Sequence, residues 1–172
     1  MIVWLIGLSG SGKTTIGKEL YKIWKKDSRP TVIIDGDEIR KIFKHNSGDD
    51  PYSIEGRKIN ADRISNLCLW LDKQEINVVC CILSVFKESR DWNRNNYSNY
   101  LEIYLKASKE VLHSRRELYK QARKGIIKNV VGVDIHFDIP TDFDLCFDTG
   151  KNVKNPKEIA DKIYQLIQRS NL

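Results

Sequence analysis

A chain of 172 residues has the length of one domain and enough apolar sequence for a proper core; its 29 Lys and Arg against 23 Asp and Glu leave a net charge of +6. That modest excess is spread rather than blocked and comes with no aromatic RNA-binding motif, zinc finger or helix-turn-helix pattern, so it suits a small anionic substrate and argues against nucleic acid as the main partner. No apolar run approaches the roughly 18–20 residues that cross a bilayer, so no membrane partner is expected. Met1 leads into a core strand without a basic leader. Cys80, Cys81 and Cys146 lie in apolar runs and Cys68 in a helical pattern, and the four fit no zinc or disulfide spacing. They read as packed, reduced thiols in a cytoplasmic protein.

Ile2 to Ile6 is an apolar run of strand type. It breaks into Gly7-Leu8-Ser9-Gly10-Ser11-Gly12-Lys13-Thr14, which fits G-x-x-x-x-G-K-[ST]. Glycines let successive backbone N–H groups point into one concavity, where a phosphate is held. Gly7, Ser9, Gly10, Ser11, Gly12, Lys13, Thr14 and Thr15 are therefore the expected ATP-binding residues. Lys13 can reach the β- and γ-phosphates, and the Thr14 hydroxyl can hold Mg²⁺. A chance Gly-rich turn is the alternative, but strand, loop and helix follow in the required order. The helix, Thr14 to Lys26, carries Ile16, Leu20, Ile23 and Trp24 at helical spacing and places its positive end beneath the phosphates.

Thr31 to Ile34 reads as a short strand running into Asp35-Gly36-Asp37-Glu38-Ile39-Arg40. Two carboxylates at the C-terminal end of a strand placed beside the P-loop strand stand where ligands bind in open α/β sheets. One would position Mg²⁺ and the other accept the proton of an attacking hydroxyl. Thr14 and Asp37 are the expected metal residues, with the division of roles between Asp35 and Asp37 open. Alternatively, one Asp caps a helix beginning near Glu38. Ile54 to Leu71 follows as a long amphipathic helix whose polar face carries Arg57, Asn60 and Arg63 in one stripe.

Asn77 to Leu83 is a continuous apolar run of central-strand type ending at Ser84, and a charged stretch with Arg90 and Arg94 comes next. Leu101 to Leu105 is another strand, and Lys109 to Leu118 a helix. Beyond it, Lys120, Arg123, Lys124 and Lys128 precede Asn129-Val130-Val131-Gly132, the composition of a mobile lid over phosphates, here about 116–137. A solvated charged loop is the plainer alternative. Asp144 to Phe147 gives a last strand and Pro156 to Ile167 a closing helix. The expected fold is α/β: a P-loop NTPase of nucleotide-kinase type in one domain over 1–172, with a mainly parallel five-stranded sheet flanked by helices and a basic lid. The absence of an Asn-Lys-x-Asp segment and the presence of an acidic pair and basic lid favour a kinase of small molecules over a GTPase.

The segments GLSGSGKTT, DGDEIR, Tyr52-Ser53 with Arg57, Asn60 and Arg63, Ser84 with Phe86 and Arg90, LYKQARKGIIKNVVGVD and Asp148-Thr149 together resemble the adenylyl-sulfate (APS) kinases across nearly the whole chain. The resemblance implies transfer of the ATP γ-phosphate to a ribose 3′-hydroxyl of a nucleotide whose 5′-phosphate carries a second acidic group. Lys13, Asp35, Asp37 and Lys128 are the expected catalytic residues, and the resemblance implies Arg40, Arg57, Asn60, Ser84 and Lys128 on the acceptor. It also implies Arg123 near ATP and a possible homodimer.

Departures from the family pattern lie along the acceptor pocket. In the family two Phe rings sandwich the acceptor adenine; the matching positions here hold Tyr52 and Val130, with Val131 for Thr. Val85 stands for Pro, and the segment at Arg115-Arg116-Glu117 is shorter. A lost stacking face is worth roughly 1–3 kcal/mol. One aromatic platform suits a smaller base. The chain also resembles APS-kinase-like enzymes of capsule polysaccharide modification, and that resemblance implies a cytidine nucleotide conjugate, cytidine diphosphoramidate, as the acceptor. Adenylyl sulfate is the alternative acceptor, served if Phe137 or Tyr119 supplies the second face; a silent nucleotide-binding regulator is the alternative to an enzyme.

Overall fold

The computed structural model describes residues 1–27, 29–43, 50–150 and 155–170. β1 (Ile2–Ile6) is apolar and buried at all five positions, which only a strand covered on both faces tolerates. Its alternation splits the core into two layers. Val3 and Leu5 face Ile16, Leu20 and Trp24 of α1 (Lys13–Trp24) and Ile159, Ile163 and Ile167 of α7 (Pro156–Ser170). Ile2, Trp4 and Ile6 face the opposite layer, with Ile64, Cys68 and Leu71 of α3 (Ile54–Lys73).

The remaining strands are β2 (Thr31–Asp35), β3 (Asn77–Cys81), β4 (Tyr100–Lys106) and β5 (Leu145–Asp148). All pairings are parallel and the order is β2-β3-β1-β4-β5. The expected neighbourhood is thereby corrected: β2 is not beside β1, because β3 lies between them. The register aligns Asp35 with Cys81 and Cys81 with Leu5, so Asp35 still ends level with the P-loop.

Three local expectations change. The helix α2 (Gly36–Ile42) starts at Gly36, not near Glu38, because Asp35 is its N-cap. The charged stretch after Ser84 is a helix, α4 (Lys87–Asn96), whose buried face is polar: Ser89, Arg90 and Asn93. The guanidinium Nε of Arg90 lies 3.4 Å from Glu102 Oε1 on β4, both side chains buried. Finally, the helix expected over Lys109 to Leu118 is two, α5 (Lys109–Arg115) and α6 (Leu118–Arg123), because Arg116 turns to extended backbone between them. Cys68, Cys80 and Cys81 are buried free thiols and Cys146 is a partly buried one. Among the described residues no helix is long and apolar enough to cross a membrane.

Candidate active site

The P-loop runs from β1 into α1. At Gly7 (φ 150°) an added Cβ would stand 2.4 Å from the carbonyl oxygen of Leu105 and 2.7 Å from Ser11 Oγ, so the backbone passes too close to β4 for any side chain. Lys13 curls under this loop: its Nζ donates to the carbonyls of Gly7 (2.8 Å) and Leu8 (2.9 Å). Burial pulls its pKa down to about 8, which leaves a cation poorly solvated and ready for phosphate. Ser11 is fully buried, and its hydroxyl has no hydrogen-bond partner among the described residues.

The acidic pair divides by geometry. Asp35 Oδ2 accepts from Thr14 Oγ1 at 2.7 Å while Oδ1 accepts from the backbone N–H of Asp37 at 2.9 Å. One carboxylate thus caps α2 and meets the P-loop hydroxyl. Asp37, expected beside Thr14 as the metal carboxylate, instead pairs with Arg40 Nη1 at 2.8 Å. Among the described residues no group of three or more His, Cys, Asp or Glu could hold a metal ion. The oxygens of Thr14 and Asp35 are hard donors of the kind Mg²⁺ takes when most of its shell is phosphate and water, so these residues fit that ion.

A cavity of about 600 Å³ is lined by the P-loop, by Asp35, Asp37, Arg40, Tyr52 and Arg57, and by the segment Lys128–Val131. Arg40 and Arg57 place their guanidinium carbons 4.9 and 5.6 Å from the Tyr52 ring centre. Burial, and then the charge of Arg40, push the Arg57 pKa down. A second recess of about 350 Å³ lies behind the loop, lined by Gly12, Thr15, Arg115, Arg116, Thr149 and Pro156.

Of the expected acceptor residues, Arg40, Tyr52, Arg57, Lys128 and Val130 line the large cavity, together with Lys13, Asp35 and Asp37. Asn60, Ser84 and Val85 do not. Asn60 is fully buried and donates to the carbonyl of Gly36 at 3.3 Å, bracing the acidic turn from behind. The Ser84 hydroxyl accepts from Trp4 Nε1 at 3.3 Å, and its carbonyl accepts from Arg90. The expected stripe of Arg57, Asn60 and Arg63 is therefore split: Arg63 lies over the Phe43 ring instead. Arg123 is exposed and lines neither cavity; Arg115 and Arg116 stand at the P-loop in its place, with Arg115 donating to the carbonyls of Gly10 and Thr149.

Val130 is buried against Leu112 and Tyr119 in a small core and also lines the cavity. Neither candidate for a second aromatic face reaches it. Tyr119 is buried with its hydroxyl donating to the Ser9 carbonyl, and Phe137 lies against Tyr104. Tyr52 is the one aromatic side chain among the described residues lining the cavity. Sequence reading assigned no role to Arg116, Thr149, Asp50 or Asn129. The hydroxyl of Thr149 ties β5 to the P-loop by donating to the Ser11 carbonyl at 2.9 Å. The only trace of it in the sequence is the Asp148-Thr149 pair.

The chain is 40% identical to the cytidine diphosphoramidate kinase of Campylobacter jejuni over 141 residues, covering 81% of each chain. It is 33% identical to the adenylyl-sulfate kinase of Staphylococcus carnosus, covering 98% of this chain and 84% of that one. Its fold superimposes on an APS kinase of Mycobacterium tuberculosis, solved in complex with AMPPNP and APS, with a TM-score of 0.86 at 24% identity, over 97% and 96% of the two chains. The profile of the adenylylsulphate kinase family matches residues 1–148, so the chain belongs to that family and is an ATP-using phosphotransferase.

Proposed function

We propose that this kinase transfers the γ-phosphate of ATP to the ribose 3′-hydroxyl of a cytidine nucleotide conjugate, with cytidine diphosphoramidate as the acceptor. The observation that carries the reading is the aromatic count: Tyr52 is the one aromatic side chain among the described residues lining the cavity and would stack a base, while Val130 and Val131 line the same cavity with aliphatic side chains. A pyrimidine needs less stacking area than a purine, and the second ring would be worth roughly 1–3 kcal/mol to adenine. The 40% identity to the Campylobacter jejuni enzyme supports the same choice.

Transfer rests on positioning and charge, because the phosphoryl group needs little covalent help. The P-loop amides and Lys13 hold the β- and γ-phosphates; the recess beside Arg116 and Pro156 takes the ATP base. Thr14 and Asp35 would hold Mg²⁺, which neutralises charge on the phosphate oxygens when bound. Asp37, on the acceptor side with Arg40, receives the proton of the 3′-hydroxyl. Arg40 and Arg57 take the acceptor's 5′-diphosphate, and Lys128 brings the lid's charge to the transferring group.

The test is ADP release with a panel of nucleotide 5′-conjugates. A cytidine 5′-diphosphate with a terminal nitrogen or oxygen substituent should give a far higher kcat/KM than APS. Equal or better use of APS ends the cytidine reading and leaves an adenylyl-sulfate kinase, which the 33% identity to the Staphylococcus carnosus enzyme favours. Tight ATP binding without turnover on any acceptor would mark a regulator.

A further inference from the structure

One lid residue is held from the acceptor side by two separate bonds. The carbonyl of Asn129 accepts from Arg57 Nη2 at 2.8 Å, and its side-chain Nδ2 donates to Asp50 Oδ2 across 79 residues of sequence. The other oxygen of the same Asp50 carboxylate accepts from the backbone N–H of Tyr52 at 2.9 Å. Asp50 therefore grips the aromatic platform with one oxygen and the lid with the other. Arg57 repeats the pattern, donating through Nε to the Tyr52 carbonyl at 2.8 Å. Asn129 is built for its part: it takes a left-handed backbone (φ 64°) that Asn and Asp tolerate, and Asp134 accepts from its N–H and from that of Val130. Asp50, Arg57, Asn129 and Val130 all line the large cavity.

We infer that Asp50 and Asn129 are positioning residues: their bond clasps the lid to the Tyr52 platform and sets the gap into which the acceptor base slides. Neither needs to touch the reacting atoms. The inference rests on the kinase reading of the site but not on which base the acceptor carries. Strength comes from the charge on one partner, since a hydrogen bond to a carboxylate is stronger than a neutral one.

A swap tests it. Asn129→Asp sets two carboxylates face to face without forbidding the backbone. It should raise the acceptor KM about tenfold or more while the ATP KM stays within about threefold. Asp50→Asn keeps an acceptor for the Tyr52 N–H and permits an amide–amide bond, so its effect should be small. The double variant Asp50→Asn with Asn129→Asp rebuilds a charged bond with the partners exchanged and should bring the acceptor KM back to within about threefold of wild type. The readout independent of activity is trypsin cleavage at Lys120, Arg123, Lys124 and Lys128 in the ligand-free protein. Cleavage should quicken in Asn129→Asp and slow again in the double variant. A double variant no better than Asn129→Asp in KM overturns the inference, as does an Asn129→Asp protein that matches wild type. If no acceptor turns over, the functional reading fails by itself, and the cleavage rates alone decide for or against the clasp.

Discussion

Raising the pH from 7 to 9 should weaken ATP binding through Lys13. In the ligand-free protein this ammonium rests on the Gly7 and Leu8 carbonyls, and burial brings its pKa to about 8. Triphosphate oxygens beside it favour the charged form and return the pKa to at least the ordinary lysine value, about 10.4. The free protein thus loses its proton as pH passes about 8 while the complex keeps it, and binding takes up a proton between about pH 8 and 10. Between pH 7 and 9 the affinity should fall about tenfold, or about 1.4 kcal/mol. The neighbours stay silent in this window: burial pushes Cys81 and Tyr119 up to about 12, and phosphate is fully ionised above its second pKa of about 6. Calorimetry with a non-hydrolysable ATP analogue at pH 8.5, in two buffers of different ionisation enthalpy, should show uptake of roughly three-quarters of a proton. Lys13→Arg, charged throughout, should show none. No uptake by the wild type, or equal uptake by the variant, would refute the reasoning. The same shift acts on folding with a defined sign: the folded pKa lies below the unfolded one, so the cost of burying charged Lys13 is present below pH 8 and is relieved as pH rises towards 10.5.

Asp35→Asn and Asp37→Asn should each lower kcat, by about 10² or more for Asp37, which takes the proton, with a smaller change in acceptor KM; steady-state kinetics that leave both kcat values near wild type would make the carboxylates structural. Asp35→Asn keeps a capping oxygen for α2, so its melting temperature should barely move. Val130→Phe should shift preference toward a purine acceptor by up to about 3 kcal/mol in competing-substrate assays, because Leu112 and Tyr119 already fill the lid core and the ring must turn to the cavity. Arg116→Ala should raise the ATP KM about tenfold and by more than Arg123→Ala does, since Arg116 lies at both the recess and the cavity.

Much of the site is written in short stretches. The P-loop octet, the Asp35-Gly36-Asp37 turn and the apolar β1 each follow from local chemistry: glycine where backbone approaches backbone, an Asx cap before a helix, and unbroken apolar residues where both faces are covered. The helix periods of α1 and α7 are legible for the same reason, each burying an apolar stripe, whereas the buried face of α3 also takes in Asn60 and Ser65. By contrast, α4 hid itself because its inward face is Ser89, Arg90 and Asn93, and a polar face is recognised as buried only once Glu102 is known to wait opposite.

What the sequence by itself determined was the phosphate cradle, the acidic turn and the aromatic asymmetry of Tyr52 against Val130. Tertiary packing decided the rest. It placed β3 between β2 and β1, chose Asp35 over Asp37 for Thr14, put Arg115 and Arg116 where Arg123 was expected, and brought Asn129 to Asp50. The physical reason is range: torsions, caps and periodicity act over a few residues, whereas these pairings depend on how the crossovers stack their helices on the sheet.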